Sequence, residues 1–281
     1  MASLKGVCLA AFFGILTALS ISLVPAQRVS YDRYGVPDWE VDPKFKHDVF
    51  TFARVQYTSY GGRSWGGRRG GWGRRGGIWA TDYPDAELNL AFRLQQMTSM
   101  KVNPDPVVVN LTQEDLHHYP FLYFVEPGRL SFGEEEAAAF RAYLLNGGFA
   151  MFDDFWGEYE WNNLYYELKR VFPDREPVDL PIEHPIFHIV FELKEKPQIP
   201  NINHAINYRG TGITWEREDA RTVHFRGIFD DEGRMMVIIC QNTDLGDGWE
   251  REGESEYYFR EFAEKRAYPM GINIIFYAMT H

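Results

Sequence analysis

The chain has 281 residues, 45% of them hydrophobic and 16% aromatic, with a formal charge of −11. That apolar content is ample for one large core, and the length allows one or two domains. The acidic balance argues against a general nucleic-acid or membrane-surface binder, and two cysteines, Cys8 and Cys240, fall short of a disulfide framework.

Residues 1–26 read as a signal peptide. Lys5 supplies the charged start, Val7 to Val24 is almost wholly apolar or small, and Val24-Pro-Ala26 ends in small residues. That ending favours cleavage after Ala26 over the competing reading, an uncleaved anchor of near-spanning length. Either reading places the rest of the chain in the periplasm or outside the cell, with membrane contact through this segment alone if it is kept. Cys8 leaves with it, so Cys240 has no internal disulfide partner. Residues 27–47 read as a linker or N-terminal arm, and 48–281 as a single α/β domain.

Asp48 to Tyr57 is the first strand candidate. Gly61 to Gly77 follows, a loop with nine glycines, five arginines and two tryptophans; so much glycine predicts a flexible flap. Its Arg/Gly/Trp interleaving resembles an RNA-binding segment, but on an exported acidic chain it fits an anionic small ligand, a glycan or a polyanionic envelope component better. Asp82 to Met100 reads as a helix with Pro84 in its first turn, and Pro106 to Leu111 as a short strand. Pro120 to Val125 is a continuous apolar run, as in a strand buried on both faces. Ser131-x-x-Glu134 predicts a capping box opening a helix to Leu145, ended by Gly147-Gly148. Phe149 to Phe152 is a second buried strand, stopping at Asp153-Asp154, before a helix from Glu158 to Phe172. Thr222–Phe229 and Arg234–Gln241 flank Asp230-Asp-Glu-Gly233 as a hairpin. Cys240 sits in that second strand as a packed, inert thiol. Asn242 to Glu250 has calcium-loop composition but the wrong spacing, so a tight turn lining the cleft is expected. Ser255 to Arg266 is a helix, Pro269 breaks or kinks it, and an apolar helix runs to the end.

Alternating strands and helices in the first half predict a doubly wound, mostly parallel sheet with an added β-hairpin and C-terminal helices. In such sheets ligands bind beyond the carboxyl ends of the strands. A flavodoxin-like order makes the first and third strands neighbours and gathers Glu126, Arg129, Asp153 and Asp154 at one mouth. Asp153 and Asp154 would serve as metal ligands or general base, or as helix caps; Glu126 has the same two readings. His184 and His188 have metal-ligand spacing, although Pro185 disfavours the helix that would align them. Trp65, Trp72, Trp156 and Trp249 are placed in loops, as ring platforms or as plugs of those loops.

Several stretches carry a family resemblance: Thr81-Asp-Tyr-Pro-Asp85 with Asn89-Leu90, Tyr119-Pro-Phe-Leu-Tyr123, Tyr143-Leu-Leu-Asn-Gly-Gly-Phe149 with Asp153-Asp154, Leu180-Pro181 with His184-Pro-Ile-Phe-His188, Gly246-Asp-Gly-Trp249, and Ala267-Tyr-Pro-Met-Gly-Ile-Asn273. Over roughly residues 48–281 the chain resembles the bacterial family called domain of unknown function 4159. The resemblance implies a class I glutamine amidotransferase-like fold, a flavodoxin-like three-layer sandwich, and an envelope-associated role with envelope protein partners. Active amidotransferases carry a cysteine on the sharp turn after a central strand; the equivalent turn here carries Asp153-Asp154, against that chemistry. Two functions stay open. One is a non-catalytic binding module using Arg129, Asp153, Asp154, Trp156, Asp82, Asp247 and Trp249. The other is a hydrolase with a divalent metal, drawing on Asp153, Asp154, Glu126, His184 and His188, with Arg129 neutralising developing negative charge.

Overall fold

The computed structural model describes residue 33 and residues 35–45, 48–60 and 77–281. The expected signal peptide and nearly all of the Gly/Arg loop, 61–76, lie outside the described residues.

Seven strands form one sheet in the order β2-β1-β3-β4-β7-β6-β5. They are β1 (Ala53–Val55), β2 (Val107–Val109), β3 (Phe121–Val125), β4 (Phe149–Phe155), β5 (Val178–Asp179), β6 (His224–Phe229) and β7 (Met235–Gln241). The first five in that order pair in parallel. The β6–β7 hairpin and the edge strand β5 are antiparallel. This is the α/β architecture expected, and β1 does lie against β3.

The continuous apolar runs are explained by helices on both faces. Along β3, Phe121, Tyr123 and Val125 join one core while Leu122 and Phe124 join the other. The first core is closed by α1 (Asp85–Met97), by the short helices α4 (Ile202–Asn207) and α5 (Leu245–Glu250), and by the C-terminal helices. The second is closed by α2 (Glu134–Leu145) and α3 (Gly157–Val171). At the end of α2, Gly147 takes φ 101° and the Gly148 N–H returns to the Tyr143 carbonyl, the left-handed stop that glycine permits.

Local expectations shift in four places. The helix α2 starts at Glu134 with Gly133 as its cap, and the Glu136 carboxylate accepts the Gly133 N–H at 2.7 Å. This is half of a capping box, since glycine has no side chain to return the bond. The strand β4 does not stop at Asp153 but runs through both aspartates to Phe155, with a register shift against β7 after Phe152. Residues 245–250 form the helix α5 rather than a tight turn. Finally, Pro269 does not break the C-terminal helix. It sits in the first turn of α7 (Tyr268–Thr280), after α6 (Glu256–Tyr258) and a π-helical stretch over Phe259–Ala267, whose wider turn accommodates it.

Candidate functional site

Four parallel strands deliver carboxylates to one edge. The connection after β1 carries Asp82 near its end, β3 leads directly into Glu126, β4 carries Asp153 and Asp154, and β7 leads into Asp244, which caps α5, and then Asp247 and Glu250 on it. Because β1, β3, β4 and β7 are adjacent and parallel, these carboxyl ends share one mouth at the switch point of the sheet.

The backbone is bent to place them. Among the described residues the non-glycine positions with positive φ are Asp82 (62°), Glu126 (49°), Asp154 (57°) and Asn242 (61°). Three stand beyond the end of one of these strands, and Asp154 is the last residue but one of β4. Left-handed backbone at a non-glycine residue costs about 1 kcal/mol or more and gathers at functional sites. In β4 the bulge lets consecutive aspartates serve one region instead of opposite faces. Asp153 turns inward, where its Oδ2 accepts the Tyr123 hydroxyl at 3.1 Å and the Gly246 N–H at 3.0 Å. The partly exposed Asp154 stands above it, with Trp156 Nε1 3.3 Å from its Oδ1.

Asp153, Asp244 and Asp247 are buried, while Asp82, Glu126, Asp154, Glu216 and Glu250 are partly exposed. One ligand oxygen from each of Asp82, Asp154 and Asp244 lies within 4.8 Å of the others, and Asp82, Asp247 and Glu250 form a second such triad. The two share Asp82. The second already holds a cation: Arg251 Nε lies 3.1 Å from Asp247 Oδ1 and 2.7 Å from Glu250 Oε2. No described lysine or arginine forms an ion pair with Asp82, Asp154 or Asp244.

This crowding governs the protons. Burial, opposed by the bonds from Gly246, Leu245 and Tyr123, pushes the Asp153 carboxyl up to about 7. Burial and the charge of Asp82 push Glu126 and Asp247 up to about 7 and Glu250 up to about 11. Asp154 and Asp244 stand well above the usual carboxylate range, by burial and then by their acidic neighbours. Glu216, whose Oε1 accepts the Asn201 N–H at 2.6 Å, is raised mainly by burial. Carboxylates so placed share protons or take a cation, and an all-oxygen set suits a hard divalent ion.

The remaining expected residues fall differently. Arg129 is exposed on the turn after Glu126 and close enough to lower its carboxyl. Trp156 is 4% exposed at the cap of α3, and Trp249 is wholly buried on α5 with its ring against Tyr123. Trp249 is therefore core, not a loop platform. His184 and His188 belong to neither triad. His184 Nδ1 accepts the Ile186 N–H, and His188 Nε2 lies 2.6 Å from the Ile182 carbonyl, so each ring is held by its own turn. Asp244, Glu250, Glu216 and Arg251 join the site without a motif of their own in the sequence. A signal for two of them was available, since 244, 247 and 250 recur every three residues, the spacing of one helix face.

The chain belongs to the family described as domain of unknown function (DUF4159), which matches residues 51–279. No curated protein matches the chain.

Proposed function

We propose that this is an exported, cation-dependent binding module. Asp82, Asp154 and Asp244 hold one hard divalent ion, and the ion's open positions face the mouth, where an oxygen of an anionic or glycan ligand of the envelope completes its shell. The observation that carries this reading is the convergence of three carboxylates from the carboxyl ends of three different strands, without a described basic partner, at the mouth of a parallel sheet. Export rests on the composition of residues 1–26.

The test is elemental analysis and intact mass spectrometry of protein recovered from the periplasm without chelator, beside Asp154→Asn and Asp244→Asn. The expected result is an intact mass beginning at Gln27 and one tightly held ion per chain, lost in both variants while they stay folded. Folded wild type that takes up no ion from millimolar Ca2+ or Mn2+ would end the proposal.

One observation favours a hydrolytic version of the same site. Glu126, partly exposed at the mouth, is pushed up to about 7 by burial, which suits a general base at working pH. In that version a screen of ester and phosphodiester substrates on the same samples finds cation-dependent turnover that Glu126→Gln abolishes while the ion stays bound. Equal turnover in that variant would rule the role out.

A further inference from the structure

We infer that Arg251 is the resident cation of the second triad and limits this centre to one divalent ion. The inference rests on the cation-binding reading above and adds its stoichiometry and mode of action.

Two carboxylate triads joined by a common aspartate are what a pair of bridged metal ions would need, and such pairs stand about 3.5–4 Å apart. Here the two halves differ. In the half formed by Asp82, Asp247 and Glu250, the Arg251 side chain is 16% exposed, against 7% for Asp247 and 9% for Glu250. Its Nε lies within ion-pairing distance of both carboxylates, and its Nη1 reaches Glu254 Oε1 at 3.1 Å. Both Asp247 oxygens are engaged, since its Oδ2 accepts the Ile202 N–H at 2.6 Å while Oδ1 faces Arg251. A guanidinium keeps its charge at every working pH and offers a fixed fork of donors. It therefore fills a place for a cation permanently, and from one residue beyond the helix that carries its partners. The half formed by Asp82, Asp154 and Asp244 holds no described basic group.

The consequence is functional. A single ion can hold and polarise one ligand oxygen. It supplies no second ion to stabilise the leaving oxygen, as paired ions do in an in-line displacement. Arg251 thus biases the centre toward holding a ligand.

Mn2+ titration followed by electron paramagnetic resonance at pH 8 tests this on the wild type and on Arg251→Met. The wild type is expected to take one Mn2+ with the spectrum of an isolated ion. Arg251→Met is expected to take a second ion and to show a spin-coupled pair. Two ions on the wild type, or one isolated ion on folded Arg251→Met, overturns the inference and leaves the cation-binding reading intact. No ion on the wild type overturns that reading, and the inference with it. Should Arg251→Met fail to fold, the combined Asp247→Asn, Glu250→Gln, Arg251→Met variant removes the buried charges together. It is expected to keep one isolated ion with affinity within about threefold of wild type, and loss of that ion overturns the inference.

Discussion

At the scale of single residues, the site depends on backbone held where few side chains tolerate it. Asp82 owes its place to Arg54, a fully buried arginine on β1. Arg54 donates to the carbonyls of Trp79 at 2.8 Å and Thr81 at 2.7 Å, and pairs with the equally buried Glu87 at 2.6 Å. A guanidinium is suited to this because it fixes several acceptors at once. Gly246 is the second such position. An added Cβ would stand 2.9 Å from the Tyr123 hydroxyl and 3.1 Å from Asp82 Oδ2. That space is too tight for a side chain, so the glycine at this position serves the site. Gly246→Ala is accordingly expected to fold with a melting temperature close to wild type while losing about tenfold or more in Ca2+ affinity, read by calorimetry. Unchanged affinity would show that the Asp82–Asp244 space is not where the ion sits.

At the scale of elements, the sheet was legible because its central strands are apolar on both faces, as a sheet between two helix layers asks. The neighbouring of β1 and β3 followed, and with it the meeting of Glu126, Asp153 and Asp154 at one mouth. The β4 bulge was not legible. A register shift changes which way Asp154 points without altering the apolar pattern that announces a strand. The helix α5 was hidden by its own composition, since Gly246 and Gly248 are poor helix formers. Contacts elsewhere in the chain override that propensity: a Cβ on Gly248 would stand 2.5 Å from that of Ala267, so glycine lets α5 lie close against the π-helical stretch. Asp244 accepts the Asp247 N–H at 2.7 Å and opens the helix. The acidic residues were therefore read as turn chemistry when they are a cap and one helical face. Arg251 lay next to that face, but its pairing with Asp247 and Glu250 depended on the missing helix.

At the scale of the molecule, a chain of formal charge −11 concentrates buried acid at one edge, which couples stability to protons and cations. Burial raises the Glu126, Asp153 and Asp247 carboxyls to about 7, from about 4 in an unfolded chain. Groups raised on folding favour the native state fully below the unfolded value, and that contribution is lost as pH climbs through the folded one. The exposed carboxylates with depressed values, Asp42, Asp174, Glu176 and Asp179, contribute in the opposite sense, but only below about pH 5. His184, held below the usual histidine value by burial and by His281, opposes the trend as a single half-buried group. In chelator, the melting temperature should therefore fall between pH 5 and pH 8. At pH 8 a cation at about a hundred times its dissociation constant should restore about 2.7 kcal/mol, or about 5–10 °C for a domain of this size. A melting temperature that rises steadily from pH 5 to 8 in chelator would contradict the account of the buried carboxyls.

The central claim is most directly tested by the anomalous scattering of Mn2+ in crystals of residues 27–281 at pH 8. The account predicts a single strong peak bonded to oxygens of Asp82, Asp154 and Asp244, absent from crystals of Asp154→Asn. Saturating Mn2+ with no peak at these three carboxylates, or a peak held by His184 and His188 instead, would contradict it.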